Sequence, residues 1–378
     1  MKRGVLLYFF MVLWISLCGY NHTIVAQERA MSLKDAFREK FLIGTAINSY
    51  QIMGKDPVTM AIVKNEFNAI VAENCMKSEN IHPVEDVFDF SLSDRFVQFG
   101  QDNNLVITGH TLIWHSQTPS WFFVDREGKQ VSKEVLIARM KNHIQTIMKR
   151  YKGKIKGWDV VNEVINDDGS YRESKFYKII GEEYIKLAYE FAREADPKAE
   201  LYYNDYSTAI PEKRAGIVAM IKKLQQQGVT IDAIGMQTHL GLKTPDIAAF
   251  ENSLKAFSQL GCKIMITEMD ISVLPFPDEN LGAEIAKNYE YKQQMNPYQK
   301  SLPEDVIASF EQRYLDFFKL FNTYQEDITR VTLWGVTDAY SWKNNWPILG
   351  RKDYPLLFNR NNEPKPIVDK IIKQSISE

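Results

Sequence analysis

Ile155-Lys156-Gly157-Trp158-Asp159-Val160-Val161 runs straight into Asn162-Glu163. A short, mostly apolar and β-branched run suits a parallel strand buried on both faces. Its polar ending puts an amide and a carboxyl at the strand's C-terminal end. The same arrangement recurs at Phe41–Ile47, Phe67–Ala72, Leu105–Gly109, Glu200–Tyr203, Ala233–Met236, Lys263–Thr267 and Val331–Gly335, making eight strand candidates. Amphipathic stretches alternate with them. Leu136, Met140, Ile144 and Ile147 recur at helical spacing, as do Ile217, Met220, Ile221 and Leu224, and Ile247, Phe250, Leu254 and Phe257. Thr244-Pro245 reads as an N-cap and first-turn pair, and Gly228 and Gly261 as helix ends. Eight strands alternating with helices predict a single TIM (β/α)8 barrel. The competitor, an open doubly wound sheet, would carry a Gly-rich phosphate turn after its first strand. Asn48-Ser49-Tyr50-Gln51 is no such turn.

A chain of 378 residues would admit two or three domains on length alone. No Gly/Ser-rich or Pro-rich linker, low-complexity tract or repeat beyond strand–helix alternation divides it, so the barrel takes residues 27–378. Residues 1–26 read as a signal peptide: Lys2 and Arg3 precede an apolar run from Val5 to Leu17, too short for a membrane span. The expectation is an exported protein, secreted or periplasmic. Ile15-Ser16-Leu17-Cys18 half-resembles a lipobox, which leaves a lipid anchor at Cys18 as the alternative. Without the signal the net charge moves from −2 to −4, which offers no footprint for nucleic acid or an anionic membrane. Cys75 and Cys262 would remain, and buried free thiols are the default for so small a set. A monomer is expected.

Polar residues gather immediately after the strand runs. Glu73-Asn74-Cys75-Met76-Lys77 follows the second, His110-Thr111-Leu112-Ile113-Trp114-His115 the third, and Asn162-Glu163 the fourth. Then come Asn204-Asp205-Tyr206, Gln237-Thr238-His239, Glu268-Met269-Asp270, and finally Trp334 with Asp338 and Trp342 beyond it. In a barrel all of these face one cavity. A single acid at one strand end is usually a cap or a loop ion pair, but seven polar endings together resist that reading. Glu163 and Glu268, three strands apart, can meet across the mouth. Facing carboxyls raise one another's pKa, and glycoside hydrolysis uses that conflict: one must be protonated and the other ionised. Trp114, Trp121, Trp334, Trp342 and Trp346 add flat apolar faces suited to sugar rings. A zinc held by His110, His115 and His239 is the competing chemistry. The first strand lacks paired histidines, and no Cys or Asp completes a compact set, so no metal and no cofactor are expected. His143 reads as packed on its helix and His82-Pro83 as a loop.

At this point the residues resemble a known family. Phe41-Leu42-Ile43-Gly44-Thr45-Ala46, the strand-two to strand-four endings above with Gly109 and Trp158-Asp159-Val160-Val161 before them, Ile266-Thr267-Glu268-Met269-Asp270, Trp334-Gly335-Val336-Thr337-Asp338 and Ser341-Trp342-Lys343-Asn344-Asn345-Trp346-Pro347 look like family 10 glycoside hydrolases, the xylanases. The likeness runs in order over about residues 32–375. It implies a retaining endo-1,4-β-xylanase with Glu163 as acid/base and Glu268 as nucleophile, their carboxyls roughly 5–5.5 Å apart. It further implies that Asn162 binds the 2-hydroxyl, that His239 bonds Glu268 with Asp270 behind it, and that His110, Trp114 and Gln237 line the same subsite. Glu73, Asn74 and Lys77 would hold the next sugar on the non-reducing side, Trp334 and Trp342 would roof the cleft, and Tyr206 would stack a sugar on the leaving-group side. Xylan and xylo-oligosaccharides are the implied partners. A β-1,4-glucan or aryl-cellobioside hydrolase on the same scaffold, or a non-catalytic sugar-binding barrel, remains as the alternative. Ser78, where the family usually has Trp, is expected to loosen remote glycone subsites; Cys75 and Ser207 also depart from its pattern. The segment from Ser272 to Asp305 is expected to shape the leaving-group side.

Overall fold

The computed structural model describes residues 31–276 and 295–377. The signal segment, Cys18 and most of the Ser272–Asp305 stretch therefore lie outside the described residues. Eight parallel strands close into a barrel: β1 (Leu42–Ile47), β2 (Ala69–Ala72), β3 (Val106–Gly109), β4 (Gly157–Asn162), β5 (Glu200–Asp205), β6 (Ala233–Met236), β7 (Lys263–Ser272) and β8 (Ile328–Leu333). Closure comes from β8, which pairs with β1 through Ile43↔Val331 and with β7 through Val331↔Ile266. Two short strands extend the rim. Ile113–Trp114 pairs with Val161 and Asn162 at the end of β4, and His239–Gly241 pairs with Asp270, Ile271 and Ser272 at the end of β7.

That second pairing explains why β7 outruns the predicted Lys263–Thr267. The backbone past Thr267 finds partners in a segment that follows a different strand, and paired N–H and C=O groups can be buried. At β8 the run begins earlier than predicted, at Ile328, and ends at Leu333, so Trp334 stands just beyond the strand.

Helices pack outside the barrel with the predicted faces inward. Lys133–Arg150 starts on a Ser132 cap and buries Leu136, Met140, His143, Ile144 and Ile147. Each such aliphatic side chain contributes on the order of 2 kcal/mol when removed from water. Pro211 opens the helix to Gln226, and the chain leaves it with Gly228 at φ +82°. The helix Ile247–Ser258 is not capped by Thr244-Pro245. Asp246 caps it, its carboxylate accepting from the N–H groups of Ala248 and Ala249. A carboxylate placed next to the first turn satisfies two orphan donors and complements the helix dipole, which outweighs the threonine.

His143 is fully buried as expected. His82 and Pro83 lie in a loop, as read, and the His82 ring is buried there: it stacks on Phe88 at 3.7 Å and its Nδ1 lies 3.0 Å from that of His143. Cys75 and Cys262 are both buried and free. No helix among the described residues is long and apolar enough to cross a membrane.

Candidate active site

The strand endings converge at one mouth. Glu73, Asn74, Lys77, His110, Trp114, Asn162, Glu163, Gln237, His239, Glu268, Trp334 and Trp342 line a single hollow there, joined by Gln117. Asp270 is fully buried and contacts the lining residue His239.

Glu163 directly follows β4 and is buried. Trp114 Nε1 donates to its Oε2 at 2.7 Å, and Gln237 Nε2 donates to its Oε1 at 2.9 Å. Burial, together with the negative charges of Asp205 and Glu268, outweighs these two donors and pushes the carboxyl up to about 7. Glu268, on β7, is as deeply buried. Burial raises its pKa as well, but the bond to His239, the nearby imidazole of His110 and the amide of Asn204 overcome that and hold it below the usual glutamate range. His239 Nε2 lies 3.3 Å from Glu268 Oε2, and its Nδ1 lies 3.0 Å from Asp270 Oδ2. Burial disfavours a charged His239, yet Asp270 more than compensates and keeps the imidazole's pKa raised. Asp270 is itself fixed by Trp342 Nε1, 2.7 Å from its Oδ2.

One residue that the sequence reading left without a role is Asn204, at the end of β5. Its Nδ2 donates to Glu268 Oε1 and to Asn162 Oδ1, each at 2.9 Å, while Thr267 Oγ1 donates to its Oδ1 at 2.7 Å. The amide thus ties the two predicted sugar-facing groups of β4 and β7 together. Asn204 fits because Gly235 on β6 has no side chain: a Cβ there would stand 2.4 Å from Asn204 Oδ1. The signal was the position of Asn204 in a polar strand ending, overshadowed by the charged residues around it. Gln117 was missed for a similar reason. It accepts from Lys77 Nζ at 3.1 Å, alongside Asn74 at 3.0 Å, and so aims the ammonium.

Of the three histidines weighed for a metal, His110 and His239 have other partners and His115 stands apart from them. His110 Nδ1 is 2.8 Å from Asp159, His239 is taken by Asp270 and Glu268, and His115 Nδ1 sits 3.9 Å from Glu163 Oε2. Among the described residues no group of His, Cys, Asp or Glu is arranged to hold an ion.

Two expectations change. Tyr206 does not border the hollow. Its ring is 6% exposed, the buried ammonium of Lys213 lies 3.6 Å from the ring centroid, and its hydroxyl accepts from Arg172. Those contacts hold the ring by one cation and the hydroxyl by another. Ser78 does not edge the cleft either. It is buried, its Oγ donates to the Leu112 carbonyl at 3.4 Å and lies 3.3 Å from His143 Nε2. The side chain points into the packing beneath the rim, so it cannot loosen a sugar site directly.

A barrel mouth holding two buried carboxyls, one with its pKa raised and one with its pKa lowered and both ringed by amides and indoles, has the equipment of a two-carboxylate glycoside hydrolase. Similarity to known proteins agrees. The family model for glycosyl hydrolase family 10 matches residues 32–374. An endo-1,4-beta-xylanase A of Xylanibacter ruminicola is 51% identical over 349 residues, covering 92% of this chain and 94% of that protein. Another, from Caldicellulosiruptor saccharolyticus, is 38% identical over 91% of this chain and 96% of its own length. Among solved structures, a family 10 endoxylanase from a sugarcane soil metagenome superposes with a TM-score of 0.88 at 44% identity, covering 90% of this chain and 99% of that one. The chain belongs to glycosyl hydrolase family 10.

Proposed function

We propose that this protein is a retaining endo-1,4-β-xylanase in which Glu163 is the acid/base and Glu268 the nucleophile. The observation that carries the roles is the opposed surroundings of two equally buried acids: neutral donors and a nearby Asp205 at Glu163, a raised-pKa imidazole backed by Asp270 at Glu268. In the first step Glu268 attacks the anomeric carbon while Glu163 gives its proton to the departing oxygen. In the second, water loses a proton to the now ionised Glu163 and displaces Glu268, so configuration at the anomeric carbon is kept. Asn162, oriented by Asn204, is in line for the 2-hydroxyl; Glu73, Asn74 and Lys77 for the next glycone sugar. Trp334 and Trp342 leave a flat roof, which favours a pentose over a hexose with its hydroxymethyl arm.

The matched relatives carry the name endo-1,4-beta-xylanase, which supports the same substrate. We further propose that residues 1–26 are a signal peptide removed on export, that the mature protein acts as a monomer, and that a lipid on Cys18 is the alternative fate of its N-terminus. The mass of the protein recovered outside the cytoplasm separates these two outcomes.

Reducing-sugar release from xylan against carboxymethylcellulose tests the substrate, with the first-formed anomer followed by NMR. Xylan should be cleaved far faster and the β-anomer should appear first. Preference for the cellulose derivative would overturn the substrate, and an α-anomer would overturn the double displacement.

A further inference from the structure

Past Glu163 the chain turns back on itself. Ile165 bridges Tyr171 antiparallel, Asn166 N–H donates to the Ser170 carbonyl at 2.8 Å, and Arg172 N–H donates to the Val164 carbonyl at 2.7 Å. This hairpin brings Arg172, nine residues further on, back beside Glu163. There its Nε donates to the backbone carbonyl of Glu163 at 2.9 Å and its Nη2 to the hydroxyl of Tyr206 at 2.6 Å. A guanidinium is planar and carries several donors, so it can serve both acceptors at once.

Three further observations show that this corner is built rather than incidental. Glu163 has φ +59°, a left-handed backbone that a residue with a Cβ adopts only when its surroundings enforce it. The hairpin tip is pinned: Gly169, at φ +84°, packs where a Cβ would stand 2.6 Å from the Glu212 carbonyl. Finally, Lys213 is fully buried and joins the hairpin to the barrel, 3.3 Å from Asp167 and 2.9 Å from Asp205. Tyr206 is therefore held from two sides, by Lys213 across its ring and by Arg172 at its hydroxyl.

We propose that Arg172 is a positioning residue for proton transfer by Glu163: by bridging the Glu163 carbonyl and the Tyr206 hydroxyl, it holds the strained backbone from which the acid is aimed. The inference rests on the reading of Glu163 as acid/base. Arg172 touches no reacting atom; it acts through Glu163. Without it the carboxyl keeps its chemistry but loses its aim at the departing oxygen.

The distinguishing readout is the leaving group. Departure of a sugar alkoxide from a xylan chain needs a proton, whereas 2,4-dinitrophenolate departs without one. Arg172→Met should therefore lower kcat/KM on xylo-oligosaccharides about 10²-fold, at the low end of what general acid catalysis supplies, and leave kcat/KM on 2,4-dinitrophenyl β-xylobioside nearly unchanged. Arg172→Lys, which keeps a cation but cannot span both acceptors, should fall between. Tyr206→Phe, which removes only the hydroxyl, should show the same selective loss on a smaller scale, and it keeps the test open if Arg172→Met folds poorly. Glu163→Gln is the reference. If it discriminates between the substrates and neither the Arg172 nor the Tyr206 variants do, the positioning role is wrong. If Glu163→Gln itself loses both activities equally, the acid/base reading is what fails. Equal losses on both substrates in the Arg172→Lys and Tyr206→Phe variants would reduce Arg172 to a structural staple.

Discussion

Glu163→Gln should make the protein more stable at neutral and alkaline pH while destroying its activity on xylan. Burial, then the charges of Asp205 and Glu268, push the Glu163 carboxyl up to about 7 from 4.5. The folded state therefore holds this proton more tightly than the unfolded chain does. Its stabilising contribution is complete below pH 4.5 and is lost as pH rises through 7. At about 1.36 kcal/mol per pH unit, the loss amounts to ~3 kcal/mol. Glutamine is neutral throughout and has nearly the same shape, so the variant escapes this penalty. One of its amide atoms must face Trp114 or Gln237 as a donor, and turning over the Gln237 amide accommodates it. Any residual mismatch costs on the order of 1 kcal/mol and shifts the whole curve without tilting it. Urea denaturation followed by tryptophan fluorescence, run on both proteins between pH 4 and pH 9, measures the difference. It should grow by ~3 kcal/mol in favour of the variant from pH 4 to pH 8. A difference that stays flat across that range would show that Glu163 is ionised inside the fold, and the acid/base argument would lose its physical basis.

The remaining predictions concern the groups behind the two acids. In the parent enzyme kcat/KM should fall as pH rises past about 7, when Glu163 gives up its proton. Asp270→Asn should move the acid limb of that profile to higher pH: Asp270 keeps the His239 pKa raised, and the bond to His239 keeps Glu268 ionised. An unmoved limb would mean that Asp270 only packs. Gly235→Ala should cut kcat roughly 10²-fold, the scale of a 1 Å misplacement, because its Cβ would stand 2.4 Å from Asn204 Oδ1. Steady-state kinetics alongside far-UV circular dichroism should show lost activity with the fold intact; full activity would remove Asn204 from the machinery.

Much of the barrel and its mouth is legible in the sequence for one reason. Parallel strands buried on both faces admit few polar side chains along their length, Asp159 and Arg330 among them, so most of the chemistry falls at their ends, as Asn162-Glu163 and Glu268-Met269-Asp270 show. What escapes such reading is non-local. The extension of β7 to Ser272 depends on His239–Gly241 coming alongside, and nothing in Met269–Ser272 announces that partner. Tyr206 follows a polar strand ending just as His239 does, yet Lys213, from the next helix, covers its ring. Nothing in the sequence singles out Arg172; only the hairpin returns it to Glu163. Ser78 shows the converse error: a departure from the family pattern, placed on the cleft by analogy, serves the packing around His143 instead.

The same geometry bears on the roles proposed for the two acids. Glu163 and Glu268 are 5% and 6% exposed, so burial raises both and cannot by itself separate them. The separation must come from their partners. Neutral Trp114 and Gln237 stabilise an ionised Glu163 too weakly to offset burial, and Asp205, fixed by its ion pair with Lys213, adds a negative charge nearby. Glu268 faces His239, whose affinity for its proton is maintained by Asp270, and Asp270 is in turn held low by His239 and by Lys343, 3.8 Å away. Exchanging the proposed roles would thus require changing the groups that surround each glutamate. The proposed division of labour rests on Asp205, paired with Lys213, on one side of the mouth and on His239, Asp270 and Lys343 on the other.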